Sequence, residues 1–199
     1  MAQNAASWPE GTDWLAGLVG VRAAEVLRRY TVPTLQRAHE EALARHGRAI
    51  WANETTYGVE RYHCFCHMFG AQLERWVPGA VPRWPENRFV VQLDDVLVYP
   101  FKYGDRRSAR LADYRFRREE NAILRRLEPT QPTLPFPGLP LRDGSTEPGV
   151  VLVPYCVNRE QGLVRVVLGQ ARRTPDRYLL WSHQEELYSG PDAPDGPPS

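Results

Sequence analysis

The stretch RYHCFCHMFG, residues 61–70, places two imidazoles and two thiols in five positions, His63-Cys64-Phe65-Cys66-His67. On a helix His63 and His67 lie one turn apart on the same face, a spacing at which both can ligate one metal ion. The helical motif that uses this spacing, HExxH, also needs a glutamate to polarise the metal-bound water. Cys64 stands in that position, so the general base is missing. Cys64 and Cys66 project about 200° apart on a helix and cannot share an ion. His39 and His46 are separated by roughly 10 Å of helix rise, too far to meet one ion at about 2.1 Å. Packing accounts for more of the pattern. Val59, Tyr62, Cys66, Phe69, Leu73 and Trp76 recur at alternating spacings of three and four, with Cys66 as a small hydrophobe. No metal and no cofactor is expected. His63 and His67 remain the only metal candidates.

A second constellation is acidic. Asp94 and Asp95 sit inside RFVVQLDDVLVYPFKY, residues 88–103, which ends near Lys102. Lys102 is the single lysine among 25 basic residues, so any lysine-dependent chemistry must use it. On an unbroken strand Asp94 and Lys102 would share a face. Two acids and a lysine on neighbouring strands resemble the divalent-metal core of restriction-like nucleases. Those enzymes carry an acid two residues before the lysine, where this chain has Pro100. Asp-Asp is equally suited to a turn between two short strands.

The third feature is DRRSARLADYRFRREENAILRRL, which holds Arg106, Arg107, Arg110, Arg115, Arg117, Arg118, Arg125 and Arg126. If residues 112–127 form a helix, Phe116, Ile123, Leu124 and Leu127 face inward and Arg115, Arg118 and Arg125 share the outer face. Guanidinium forks suit phosphates and carboxylates alike. Tyr103 and Tyr114 are close enough in sequence to add stacking. Asp113, Glu119 and Glu120 offset part of this charge.

These residues need elements to position them. TDWLAGLVGVRAAEVLRRY reads as a helix capped by Thr12, and TVPTLQRAHEEALARHG as a second, capped by Thr31 with Pro33 in its first turn and Gly47 at its end. A third helix is expected over about 59–77. Residues 88–103 make one long strand or two short ones folded at Asp94-Asp95. Six prolines over 128–148 exclude regular helix or sheet and mark a crossover. Three strands then follow as a meander, GVVLVPYCV, LVRVVLGQA and RYLLWSH, with Val164, Val166 and Leu168 on one face. SHQEEL has a capping-box spacing and is expected to start a short helix. Residues 1–11 and 189–199 are expected to be flexible, and 12–188 to form one globular domain. Helices precede strands, so the class is α+β: a helical N-terminal part on an antiparallel sheet that includes the C-terminal meander.

A chain of 199 residues with net charge +1 can bury a core without disulfides, and overall charge implies no polyanion partner. Cys64, Cys66 and Cys156 are too few and odd in number for a disulfide framework. The N-terminus lacks the pattern of a secretory signal, and no apolar run is long enough to cross a bilayer. A cytoplasmic, non-membrane protein is expected. Walker-type, Rossmann and G-x-S-x-G patterns are absent. The leading expectation is therefore a non-catalytic binding or regulatory protein. It would meet a protein partner or nucleic acid through Arg106, Arg107, Arg110, Arg115, Arg118, Arg125 and Tyr103. A metal-dependent nuclease using Asp94, Asp95 and Lys102 is the first alternative. A small-molecule enzyme or ligand binder, with the His-bearing helices as a pocket wall, is the second.

Overall fold

The computed structural model describes residues 13–46, 53–106, 108–116, 123, 127 and 149–190. The flexible N-terminus expected over 1–11, the Pro-rich 128–148, Gly47, Arg107, Arg117, Arg118, Arg125, Arg126 and the tail beyond Gly190 lie outside them.

Helix α1, Trp14–Val19, starts at Asp13, whose Oδ1 accepts the Leu15 and Ala16 N–H groups at 3.1 Å. It ends at Gly20, whose φ of +82° suits a residue without Cβ. Helix α2 then runs unbroken over Val21–His46. The expected boundary at Thr31 is not there. Thr31 is fully buried, and its hydroxyl donates to the Leu27 carbonyl at 2.6 Å instead of capping a new helix. Pro33 removes one intrahelical donor, yet Ala24, Leu27, Leu35 and Ala38 stay buried on the same face. That burial overrides the local break signal. Helix α3, Glu54–Trp76, begins at a reciprocal capping box between Asn53 and Thr56.

Among the described residues six strands form one sheet in chain order: β1 (Val81–Arg83), β2 (Val90–Leu93), β3 (Val96–Gly104), β4 (Val150–Asn158), β5 (Gly162–Arg173) and β6 (Leu179–Ser189). Every neighbouring pair is antiparallel except β3 and β4, which are parallel. The sheet is therefore mixed, not wholly antiparallel. A parallel pair needs a long return connection, and residues 105–149, with the proline-rich segment inside them, supply it. Residues 88–103 adopt the folded alternative: β2 and β3 meet in a hairpin closed by Asp94-Asp95, with Asp94 at φ +48°.

Two expected helices differ. Leu111–Asp113 is a single 3-10 turn, and Tyr114 is already extended at φ −71°, ψ 130°. A helix thus does not start at 112, because the chain from Leu111 to Phe116 is laid against the sheet. Leu111 and Phe116 are buried there, and the Phe116 N–H donates to the Arg177 carbonyl at 3.3 Å. SHQEEL belongs to β6. The ladder to β5 satisfies its backbone, and the Ser182 hydroxyl donates to the Gln170 carbonyl across the strands.

The sheet is covered on both faces. Val91, Val98, Val151, Val153, Tyr155 and Leu168 pack with Leu27, Leu35, Phe65, Phe69 and Leu73 of the helices. On the opposite face Tyr99, Phe101, Tyr103, Leu152 and Val167 pack with Leu111, Phe116, Ile123 and Leu127. Central β4 is consequently buried on both sides over Val150–Val157. Val164 does not share a face with Val166 and Leu168. A register shift opposite Cys156 and Val157 inserts one residue and turns Val164 to the other face. Gly169 is required by close approach: a Cβ there would lie 2.5 Å from the Trp181 ring and 2.7 Å from the His183 carbonyl. Among the described residues no helix is long and apolar enough to cross a membrane.

Candidate anion-binding cleft

The β2–β3 hairpin opens at its far end. The last paired residues there are Val91 and Val98. Continued in register, the ladder would carry the Phe89 N–H to the Pro100 carbonyl; it donates instead to the Tyr62 hydroxyl of α3 at 3.2 Å. Among the described residues β3 keeps only its β4 neighbour from Pro100 onward. Proline is suited to this position because its missing N–H would have faced the unpaired edge. The N-terminal half of α3 lies over that edge. Between them is a cleft of about 440 Å³ lined by Thr55, Gly58, Val59, Arg61, Tyr62 and His63 of α3, Arg88, Tyr99 to Lys102 of β3, Tyr114, and Tyr155 of β4.

Arg61 is the unusual member. It is 4% exposed, one of few charged residues so deeply buried. Stepping back by four from Leu73, Phe69 and Phe65 reaches Arg61 and Tyr57, so the buried stripe of α3 runs through the arginine. Val59, assigned to the core from sequence, is 51% exposed. The guanidinium lies over the Tyr57 ring, 5.6 Å from its centroid. Tyr57 is itself buried, and its hydroxyl is hydrogen-bonded to His39 Nδ1. Burial and the nearby Arg61 charge lower the His39 pKa, which favours the neutral ring that can accept the Tyr57 proton. His39 thus adds no charge that would oppose Arg61.

Lys102 approaches from the opposite wall. Burial, and then the Arg61 charge, push its pKa below the usual lysine value; Asp105 acts in the other direction. Its Nζ is 3.7 Å from Asp105, an exposed carboxylate that does not line the cleft. No described carboxylate lines the cleft at all, and Arg61 makes no ion pair with a described acid. Glu60, its chain neighbour, does not reach the lining. Arg61 and Lys102 on facing elements, with Arg88 also in the lining, therefore share a hollow whose described lining holds no acid. Such an arrangement is costly unless an anion completes it.

The residues singled out from sequence are distributed differently. Asp94 and Asp95 form the hairpin turn at one end of β3, and Lys102 stands near the other, about 23–26 Å along an extended strand. They are not one site. His63 and His67 are both exposed. His63 stacks on Trp84 with centroids 5.7 Å apart and lines the cleft mouth. Among the described residues no three His, Cys, Asp or Glu side chains converge as a metal site. Burial pushes the Cys66 thiol up to about 12, which leaves it protonated and poorly nucleophilic.

Arg106, Arg110 and Arg115 are exposed, but they do not share a helix face. Arg115 lies against Tyr178, its guanidinium 4.2 Å from the ring centroid and hydrogen-bonded to the hydroxyl. Tyr103 does not stand beside them as a stacking surface. It is 9% exposed, because the inward alternation of β3 turns it into the second core. Arg107, Arg118 and Arg125 lie outside the described residues. A larger hollow, about 750 Å³, lies between Arg22, Arg28, Tyr30 and Trp76. Arg22 there pairs with Glu25 and Arg28 with Asp13 and Glu185, while Arg29 lies over the Tyr30 ring.

Arg61 escaped the sequence analysis because an apolar/polar pattern scores arginine as outward. The signal available was its phase, four residues before Phe65 and eight before Phe69. Comparison of the chain with protein-family models, with curated proteins and with solved structures finds no match.

Proposed function

We propose that this protein is a ligand-binding protein whose α3–β3 cleft takes a small anionic molecule. The observation that supports it is Arg61, buried in the cleft wall with Lys102 opposite and no carboxylate among the described lining residues. The cleft volume lies within the range of small-molecule sites, about 300–1,000 Å³. The reading develops the ligand-binder alternative from the sequence and moves the binding role from the Arg106–Arg126 stretch to the cleft. The role proposed for the cleft is binding.

The test is thermal unfolding of the full chain with matched anionic and neutral compounds, such as benzoate against benzamide and phenyl phosphate against phenol. Anions should raise Tm in a saturable way, neutral partners should not, and Arg61→Gln should remove the shift while leaving the circular dichroism unchanged. The proposal fails if no anion shifts Tm at millimolar concentration, or if Arg61→Gln keeps the full shift. Tight oligonucleotide binding at low salt, lost on replacing Arg106 and Arg110, would return the role to the arginine-rich stretch.

A further inference from the structure

We infer that the cleft is built for a phosphate monoester carried on a flat ring, bound as a small molecule; this rests on the anion-binding reading above. The first argument is charge. Arg61, Lys102 and Arg88 all line the cleft, and of these Lys102 is 3.7 Å from the exposed Asp105; a carboxylate brings a single negative charge to this group. A phosphate monoester, near −2 at neutral pH, brings about twice that charge and meets the cationic lining better. The geometry of the donors points the same way. The Arg61 fork can engage two oxygens side by side, and the Lys102 ammonium is a point charge for a third.

The second argument is the wall. Tyr62 and Tyr114, both partly exposed, border the cleft; Tyr99 and Phe101, 4% and 5% exposed, back it from the second core. Tyr99 and Phe101 are stacked with centroids 5.6 Å apart, and Tyr114 meets Phe101 at 5.1 Å. The partly exposed Tyr114 ring, braced in this way from behind, is a stiff surface against which a planar group can lie at little entropic cost. The unpaired edge of β3 adds backbone groups. In the strand alternation Leu97 donates to Gly149 on the β4 side, so Pro100 and Lys102 direct their carbonyls toward the cleft side. Those acceptors suit a hydroxyl or amino group on the ring system, such as a nucleoside provides. At about 440 Å³ the hollow holds a mononucleotide-sized molecule and not a folded partner.

The experiment is isothermal titration of the full chain at pH 7.5 and low ionic strength with benzoate, phenyl phosphate, inorganic phosphate, adenosine and adenosine 5′-monophosphate. Phenyl phosphate should bind at least tenfold tighter than both benzoate and inorganic phosphate. The mononucleotide should bind at least as well as phenyl phosphate, and adenosine at least a hundredfold more weakly than its monophosphate. Lys102→Gln should cost phenyl phosphate tenfold or more and benzoate much less, which collapses the preference for the dianion. This variant alters a half-exposed side chain, so folding is retained even if Arg61 variants fail to fold. Equal affinity for benzoate and phenyl phosphate overturns the dianion inference while leaving an anion-binding cleft. Equal affinity for inorganic phosphate and phenyl phosphate removes the role of the aromatic wall. Absence of binding by every compound removes both this inference and the reading on which it rests.

Discussion

Arg28 and Arg61 sit in two helices of the same layer and face opposite situations. Arg28 of α2, 31% exposed on its side chain, is held by carboxylates on both sides. Its Nη1 and Nη2 donate to Asp13 at 2.6 and 2.8 Å, and its Nε and Nη2 to Glu185 of β6 at 2.8 Å each. The fork ties the cap of α1, the middle of α2 and the edge strand of the sheet. Trp14 stacked on His183 at 5.4 Å closes the same corner. Arg61 is far more buried, yet has an aromatic ring and another cation as neighbours. If charge burial served only stability, the more buried arginine should have the better partners. The reverse holds. Arg28 is a structural clamp, whereas Arg61 is arranged for a counter-charge that comes from outside.

The strongest way to break this contrast is to supply Arg61 with its missing acid. Lys102→Glu places a carboxylate where a cation stood. Anion affinity should fall by at least a hundredfold, and thermal stability without ligand should not fall, because attraction to the buried Arg61 offsets loss of the pair with the exposed Asp105. Lower stability with anion binding intact would end the distinction between the two arginines. The complementary change is Arg28→Met. It leaves Asp13 and Glu185 without their fork and should cost about 1 kcal/mol, discounted because the pair is partly exposed. Ligand affinity should be unchanged, since Arg28 is remote from the cleft. Urea unfolding and calorimetric titration on the same preparation separate these effects.

Acid titration gives the smallest signal and sharpens the same contrast. The Arg28 hydrogen bonds hold the Asp13 carboxyl well below the usual carboxylate range. With a depressed folded pKa, its stabilising contribution is present above about pH 4 and is lost as pH falls further. His39 is also depressed, by burial and then by Arg61, so the neutral ring favours the fold. Its contribution is full above about pH 6.5 and declines below that value. Tm should therefore fall in two limbs between pH 8 and pH 3. Arg28→Met should flatten the lower limb and His39→Gln the upper one. A single limb untouched by either variant would show that these groups do not set the acid stability.

Much of the fold was legible in the chain. The third helix, the β2–β3 segment and the three C-terminal strands follow from apolar periodicity and turn chemistry, which act over a few residues. The failures have local causes too. Thr31 and Pro33 carry a helix-start signal, but burial of their neighbours keeps α2 continuous. The capping-box spacing of SHQEEL yields to ladder bonds from β5. The 112–127 periodicity competes with the second sheet face, which takes up Leu111 and Phe116 without a helix there. The candidate site was hardly legible. RYHCFCHMFG drew attention through its histidines and thiols, while its first residue, Arg61, lines the cleft.

The sequence by itself determined the α+β class and the apolar faces that had to be covered, and it narrowed residues 88–103 to one long strand or two short ones folded at Asp94-Asp95. Each depends on interactions between near neighbours in the chain. Only the tertiary structure decided that β3 runs parallel to β4 and outlasts β2. Only it brought Tyr62 of α3 to the Phe89 N–H. Those long-range pairings open the strand edge and bring Arg61 and Lys102 to one hollow without a carboxylate. A charge pattern of that kind depends on distances in space between residues some 40 positions apart, and no local spacing encodes it.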